Sequence, residues 1–298
     1  MKIAIASYHD TGRYLSVVPN EDEMLLELFR SHNHDVELKV WDDESVDWTT
    51  YDIIIIKSTW DYFIEKIDTF YAWLDYIKTT NIPCLNHPDL IKWNADKHYL
   101  LDIEAAGLAI VPSIIIEKNG TFNSEFSFAK FNTDELIVKP TISGGAMNTL
   151  RLNKNNVDEH VDEINTWLKD QAYLVQPLKQ EIITEGEWSF LYFNGTYSHH
   201  LLKVAKEGEF RIQHFFGGKI VTTNVDEKLI EISQKYIDQF AKDSLYARVD
   251  GVWSNGIFEL MELELIEPYM FFFTNENSLS NYYTAFEQLS KKIIHEKN

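Results

Sequence analysis

Short apolar runs alternate with amphipathic stretches from the first residues of the chain onward. Lys2 to Ser7 reads as a strand, and a helix from about Asp22 carries Leu25, Leu28 and Phe29 on one face. Asn20 with Glu23 resembles a capping box at its start. The strand-like VELKVW and the all-apolar run Ile53 to Ile56 follow, then a helix with Phe70, Trp73, Leu74 and Ile77 on one side, and then Ile82 to Leu85. Strand, helix, strand repeated in this order predicts a parallel sheet covered by helices, with ligands at the C-terminal ends of the strands. Lys57 to Tyr62, KSTWDY, occupies such an end.

The pattern changes near Asn86. A helix through Lys97 to Ala106 is expected to stop at Gly107, with strands at Ile110 to Ile116 and Glu135 to Lys139. After a helix over Val157 to Leu168, strands are expected at Tyr173 to Gln176, Trp188 to Phe193 and Thr196 to Lys203. Asn194-Gly195 is a strong hairpin turn between the last two. A helix at Val225 to Phe240, strands at ARVDG and GIFELMELELIEP, and a terminal helix complete the chain. The fold class expected is α/β and α+β, in two or three packed units.

Composition sharpens this picture. The 298 residues are 45% hydrophobic and 14% aromatic with only 12 Gly and 7 Pro, which excludes disorder and low complexity. Against 27 basic residues stand 47 acidic ones, a formal charge of −20 that disfavours nucleic acid and anionic membrane as partners. Any phosphate site must be locally basic. The single cysteine, Cys84, excludes intramolecular disulfides and Cys-rich zinc modules and reads as a small core residue. The first ten residues are too short an apolar run for a signal peptide, and no stretch approaches membrane-spanning length, so a cytoplasmic location is expected. Met270 to Phe273, MFFF, reads as core in preference to interface, and a homodimer is left open.

The candidate chemistry concentrates in ARVDG (Ala247 to Gly251) and LMELELIEP (Leu260 to Pro268). Side chains alternate along a strand, so Arg248 and Asp250 share a face, as do Glu262 and Glu264. If the strands are neighbours, three carboxylates and a guanidinium converge, and oxygen-only ligands suit Mg²⁺ better than zinc. A solvated acidic sheet face is the plain alternative. Lys139-Pro140 opens into Thr141, Ile142, Ser143, Gly144 and Gly145, a small-residue loop that could cradle an anion or be an ordinary turn. Lys97, Lys203 and Arg211 are further cations that could face the same cleft or the solvent. Gln176-Pro177-Leu178 is a linker to an adenine or a strand end. His199 and His200 point to opposite faces of a strand and form no chelating pair. Thr59, Trp60 and Asp61 end a buried strand, where Ser58, Thr59 and Asp61 also suit a helix cap.

Read together and in order, these segments resemble the ATP-grasp superfamily on its glutathione synthetase-like side. They are Asn86 to Ser113, ELIVKPTISGG (Glu135 to Gly145), LVQPL (Leu174 to Leu178), EGE (Glu185 to Glu187), EFRIQHFFGG (Glu209 to Gly218), ARVDG and ELELIEP. STWDY, KWNADK and MELELIEP are similar to the subgroup of the cycloserine-pathway cyclo-ligase that closes O-ureido-serine. The resemblance covers roughly Lys2 to Phe273. It implies an N-terminal pre-ATP-grasp parallel-sheet domain over 1–92 that binds substrate, and ATP-grasp subdomains over 93–177 and 178–298 with nucleotide between them.

Carried over by position, the resemblance gives Lys97 and Lys139 to the ATP phosphates, and Ser143, Gly144 and Gly145 to the loop covering them. It makes Gln176, Pro177 and Leu178 the adenine hinge and Glu187 the acid on the ribose. It makes Asp250, Glu262 and Glu264 the magnesium ligands, with Mn²⁺ as the other metal allowed. Glu264 departs from the family, which commonly has Asn there. Arg248 would contact the transferred phosphate, and Lys203 and Arg211 would steady the acyl phosphate and the substrate carboxylate. Thr59, Trp60 and Asp61 would line the pocket for an amino-acid-like substrate, Asp61 meeting its amino group. The implied reaction is ligation: a carboxylate attacks the γ-phosphate of ATP and the acyl phosphate is taken by an amine or similar nucleophile. The competing expectations are a small-molecule kinase and a nucleotide-binding regulatory module without turnover.

Overall fold

A computed structural model of the chain describes residues 1–9, 19–206, 208, 209, 211 and 217–296. The first unit contains β1 (Lys2–Ser7), α1 (Glu21–Ser31), β2 (Asp35–Val40), β3 (Ile53–Ser58), α2 (Ile67–Thr80) and β4 (Cys84–Leu85). Its sheet runs β2-β1-β3-β4 with every pair parallel. All six residues of β3 are buried, as expected for a strand covered on both faces. The N-terminus of α1 is closed by Asn20, whose side chain accepts the N–H groups of Asp22 and Glu23. The order changes direction between β1 and β3, so the crevice at their C-terminal ends is the natural ligand site.

Two helices, α3 (Pro88–Asn94) and α4 (Tyr99–Ala105), lead into the second unit. That unit holds β5 (Ile114–Ile116), α5 (Ser124–Phe131), β6 (Glu135–Pro140), β7 (Leu150–Asn153), α6 (Val157–Trp167) and β8 (Tyr173–Pro177). Its antiparallel sheet has the order β5-β8-β6-β7. The third contains α7 (Glu181–Thr184), β9 (Glu187–Phe193), β10 (Thr196–Val204), β11 (Lys219–Val221), α8 (Glu227–Phe240), β12 (Tyr246–Ser254) and β13 (Ile257–Glu264). Its order is β11-β10-β9-β12-β13, again antiparallel, and α9 (Ser278–Glu296) follows.

Two expected elements come out differently. The helix expected from Lys97 begins at Tyr99, because the Lys97 N–H is taken by the Thr141 carbonyl at 2.9 Å. The strand expected over Ile110 to Ile116 is divided between two sheets. Ile110 bridges to Leu260 of β13, and only Ile114–Ile116 pair with β8. Pro112, which has no N–H to give a ladder, stands between them. Gly107 ends α4 with φ +84, and the 194–195 hairpin forms with Asn194 and Gly195 both at positive φ.

The units do not keep separate cores. Ile3, Ile5, Leu25 and Phe29 pack with Leu191, Phe193 and Tyr246 of the third sheet and with Tyr282 and Phe286 of α9. Two buried asparagines stitch the same junction. Asn86 donates to the Tyr246 and Leu265 carbonyls at 2.8 and 2.9 Å and accepts the Leu245 N–H at 2.6 Å. Asn94 donates to the Leu263 carbonyl at 2.7 Å and accepts the Leu265 N–H at 3.0 Å. Cys84, Met270, Phe271 and Phe272 are buried, while Phe273 is exposed. No helix among the described residues is long and apolar enough to cross a membrane.

Candidate active site

The register of β12 on β13 places Arg248 opposite Glu264 and Asp250 opposite Glu262. On its other side β12 sets Asp250 beside Ser189 of β9, and β9 in turn sets Glu187 beside Lys203 of β10. Alternation turns these seven side chains to one face, while Ala247, Val249, Leu263 and Phe190 fill the core behind them. A charged layer thus lies on an apolar floor.

The layer is densely paired. Arg248 bonds Asp250 at 2.9 Å and reaches Glu264 as well. Lys203 stands 3.0 Å from both Glu187 and Asp250. Ser189 donates to the remaining Asp250 oxygen at 2.6 Å. From the second sheet Lys139 reaches across to Glu262 at 2.9 Å. Along β6 the buried residues Leu136, Val138 and Pro140 alternate with half-buried Glu135, Ile137 and Lys139, which frees the lysine to cross the gap. Lys97 donates to the Ser143 carbonyl at 3.0 Å and lies 3.3 Å from its hydroxyl, so the small-residue loop hangs from this lysine. Gly144 lies against the Phe63 ring so closely that a Cβ there would sit 2.5 Å from it. Gly145 takes φ +60.

Charge in the layer is unevenly balanced. Burial penalises the Asp250 anion, but Arg248 and Lys203 outweigh it and hold the carboxyl well below the usual carboxylate range. Burial opposes the Glu262 anion too, and Lys139 and Lys97 nevertheless hold it at about 2. Glu264 goes the other way: burial, with Asp250 and Glu262 nearby, pushes it up to about 7 despite Arg248. Burial and Asp250 push Glu187 up to about 7 against Lys203. Glu267, beyond the end of β13, is pushed up to about 8 by burial and by Glu264. Two firmly ionised carboxylates and three carboxyls held toward their neutral forms thus share the layer with four cations, Lys97, Lys139, Lys203 and Arg248, and a further cation bound there would draw Glu187, Glu264 and Glu267 into their charged forms.

Asp250, Glu262 and Glu264 offer only oxygen donors, the chemistry a hard divalent cation takes. One oxygen each of Glu262 and Glu264 makes no hydrogen bond among the described residues, whereas both of Asp250 are committed. Among the described residues no three His, Cys, Asp or Glu side chains are arranged to hold a metal ion, so these three do not close on one point here. The donor types fit Mg²⁺, and Asp250 would have to share with Arg248 and Lys203.

Other expected residues fall nearby or elsewhere. Gln176 is buried and donates to Ser113 at 2.9 Å, Pro177 ends β8, and the Leu178 N–H binds the Glu135 carbonyl at 3.0 Å. Arg211 pairs with Glu209 at 2.7 Å; within the segment Glu209 to Gly218, residues 210 and 212–216 lie outside the described residues. Trp60 donates to the Glu267 carbonyl at 3.0 Å, and its ring lies 5.4 Å from that of Tyr8. The Thr59 hydroxyl is buried with no hydrogen-bond partner among the described residues. The helix-cap alternative for Ser58, Thr59 and Asp61 is corrected: α2 begins at Ile67 with Lys66 as its cap and no side-chain cap bond. Asp61 instead accepts from Trp41 at 2.7 Å and Lys66 at 2.6 Å, so both oxygens are engaged inside the first unit. His199 and His200 reach different partners, the Met270 and Thr223 carbonyls.

The family model of the prokaryotic glutathione synthetase ATP-grasp domain matches residues 107–257. The chain belongs to this ATP-grasp family. A second model, the N-terminal domain of D-cycloserine synthetase DcsG, matches residues 3–86. The cycloserine biosynthesis protein DcsG of Streptomyces lavendulae is 25% identical over 186 residues, an alignment spanning 61% of each chain. Among solved structures, that of D-cycloserine synthetase DcsG superposes with a TM-score of 0.82 at 21% identity, covering 98% of this chain and all of that one. The D-alanine–D-alanine ligase of Bacillus anthracis complexed with ATP gives 0.71 at 14% identity over the whole of both chains. These likenesses show the ATP-grasp fold, with an α/β parallel-sheet unit ahead of two α+β units.

Site residues that the sequence did not single out are Ser189 and Glu267. Glu267 lies beyond the alternating ELEL and comes near Glu264 only through the bend after β13.

Proposed function

We propose that the protein is an ATP- and Mg²⁺-dependent ligase that activates a carboxylate as an acyl phosphate for attack by an amine or similar nucleophile. The observation that carries this reading is the charged layer itself: Arg248, Lys203 and Lys139 meet Asp250, Glu262 and Glu264 between two sheets, with Lys97 and the 141–145 loop at the rim. A carboxylate and a triphosphate repel each other, and fixed cations over a water-poor floor offset that repulsion most where charge develops. Asp250, Glu262 and Glu264 would hold Mg²⁺, which when bound supplies charge neutralisation on the phosphates. Glu264 in the position of the usual Asn adds a carboxyl that titrates near neutrality.

In this reading residues 1–92 bind substrate, and 93–177 and 178–298 clasp the nucleotide, with Gln176 to Leu178 along the adenine and Glu187 at the ribose. Glu187 would exchange its bond to Lys203 for ribose hydroxyls, and Arg211 would meet the substrate carboxylate. Loop 143–145 would close over the acyl phosphate and exclude water. The match of residues 3–86 to the DcsG N-terminal domain supports an amino-acid-like substrate met by Thr59 and Trp60, and admits ring closure as the second half of the reaction. Asp61, already bound to Lys66, is better placed to hold this end of β3 than to receive an amino group.

The test is ADP and phosphate release with Mg·ATP against amino acids and small carboxylates, singly and in pairs, with mass spectrometry of the products. Substrate-dependent ADP with a product lighter than its reactants by one water is expected. A stable phosphorylated substrate would make the protein a kinase, and nucleotide binding without turnover across the panel would make it a binding module.

A further inference from the structure

Residues 267–272 belong to no strand, yet side chains take their backbone groups almost one by one. Trp60 donates to the Glu267 carbonyl at 3.0 Å, Lys57 to the Pro268 carbonyl at 2.8 Å, Arg248 to the Tyr269 carbonyl at 2.8 Å and His199 to the Met270 carbonyl at 2.8 Å. The Glu21 carboxylate accepts the Met270 N–H at 2.8 and 3.0 Å and the Phe272 N–H at 3.4 Å. Between these anchors Phe271 takes φ +53, a conformation a bulky residue keeps only where its surroundings hold it. Its ring lies 5.5 Å from the Arg248 guanidinium and 5.7 Å from the Lys203 ammonium.

Glu21 and Lys57 form an ion pair of 3.0 Å, with side chains 3% and 0% exposed. A buried pair of this kind is poor glue, since apolar residues of like size serve stability as well or better. What apolar residues cannot do is accept two N–H groups and donate to a carbonyl of the same strap. We propose that Glu21 and Lys57 are positioning residues for the nucleotide site: they fix the 268–272 strap, and the strap fixes Arg248 through the Tyr269 carbonyl and sets the Phe271 ring against Arg248 and Lys203. This rests on the ligase reading above, with Arg248 on the transferred phosphate and Lys203 steadying the acyl phosphate. It couples the end of β3, where substrate binds, to the cations of the third sheet.

The test compares wild type with Glu21→Gln/Lys57→Met, which removes both buried charges together, and with Glu21→Gln, which keeps the side-chain volume. Affinities for Mg·ADP and for Mg·AMPPNP, a non-hydrolysable ATP analogue, are measured by calorimetry alongside thermal midpoints. Wild type is expected to prefer AMPPNP, the preference reporting contacts to the terminal phosphate. In the double variant that preference should fall at least fivefold while ADP affinity moves less than twofold and the thermal midpoint stays near wild type. Glu21→Gln should lose part of the preference. An unchanged preference in either folded variant, or equal weakening of both nucleotides, overturns the proposal. A wild type that does not distinguish the two nucleotides overturns it together with the ligase reading. A wild type that prefers AMPPNP but releases no ADP with any acceptor overturns the ligase reading alone.

Discussion

The two walls of the cleft are built on different principles. One wall is the face of β9, β10, β12 and β13, where strand register sets every charge and each cation touches two or more partners. The other is the 141–145 loop, whose links to the rest of the molecule include the Lys97 bond to Ser143 and the contact of Gly144 with Phe63. A wall fixed by register can be preorganised for charge that develops during a reaction. A wall carried on a loop beyond the strand ladder can open and close. Substitutions in the first wall should therefore act on stability and chemistry together, and those in the second on chemistry with the fold intact.

The largest effect is expected at Arg248. Arg248→Met leaves Asp250 and Glu264 facing each other without their shared cation, and stripping one partner from a buried pair costs roughly 3–5 kcal/mol. Urea unfolding should show that loss together with loss of turnover; an unchanged midpoint would mean the register-fixed wall is not held by its charges. Lys139→Ala comes next. It removes one cation that bridges the two walls, so turnover should fall on the order of 10²- to 10³-fold, with a smaller loss of stability than at Arg248 because Glu262 keeps Lys97 nearby. Normal turnover would displace the phosphate site from this lysine.

The strap behind the fixed wall gives a pH signature. Burial holds His199 down at about 4, against an ordinary value of 6.5, so the folded state favours its neutral form. The stability this represents is whole above pH 6.5 and is lost as the pH falls from 6.5 toward 4, a contribution on the order of 3 kcal/mol. His199→Asn should flatten that part of the stability profile in denaturant titrations. A wild-type slope in the variant would assign the acid loss to other groups.

The smallest effect belongs to the loop. Gly144→Ala puts a methyl 2.5 Å from the half-buried Phe63 ring, which must turn aside or push the loop away. A fall of about tenfold or less in turnover is expected at unchanged stability, and Phe63→Leu in the same background should restore most of it. No rescue would mean that Gly144 matters for the anion it faces and not for how the loop rests.

The same contrast explains what the sequence made legible. Alternation along ARVDG and ELELIEP is a local rule, and it correctly placed Arg248, Asp250, Glu262 and Glu264 on one face once the strands paired. Lys139 was legible for another reason, its place at a strand end just before a small-residue loop, and β6 does end there. The elements missed were short, such as β7 and β11, or were cut by a proline, as at Pro112, where two sheets share one segment. Asp61 looked like a cap because its neighbours are capping residues, but Trp41 and Lys66, 20 and 5 residues away, claim it. Glu21 and Lys57 meet residues 268–272 from more than 200 positions away, and no local pattern announces a contact of that range.

The most direct measurement follows oxygen. With the substrate carboxylate labelled with ¹⁸O and turnover carried out in unlabelled water, activation as an acyl phosphate transfers one labelled oxygen to the phosphate released. The account predicts phosphate carrying one ¹⁸O for each product formed. Unlabelled phosphate accompanying a normal yield of product would contradict it.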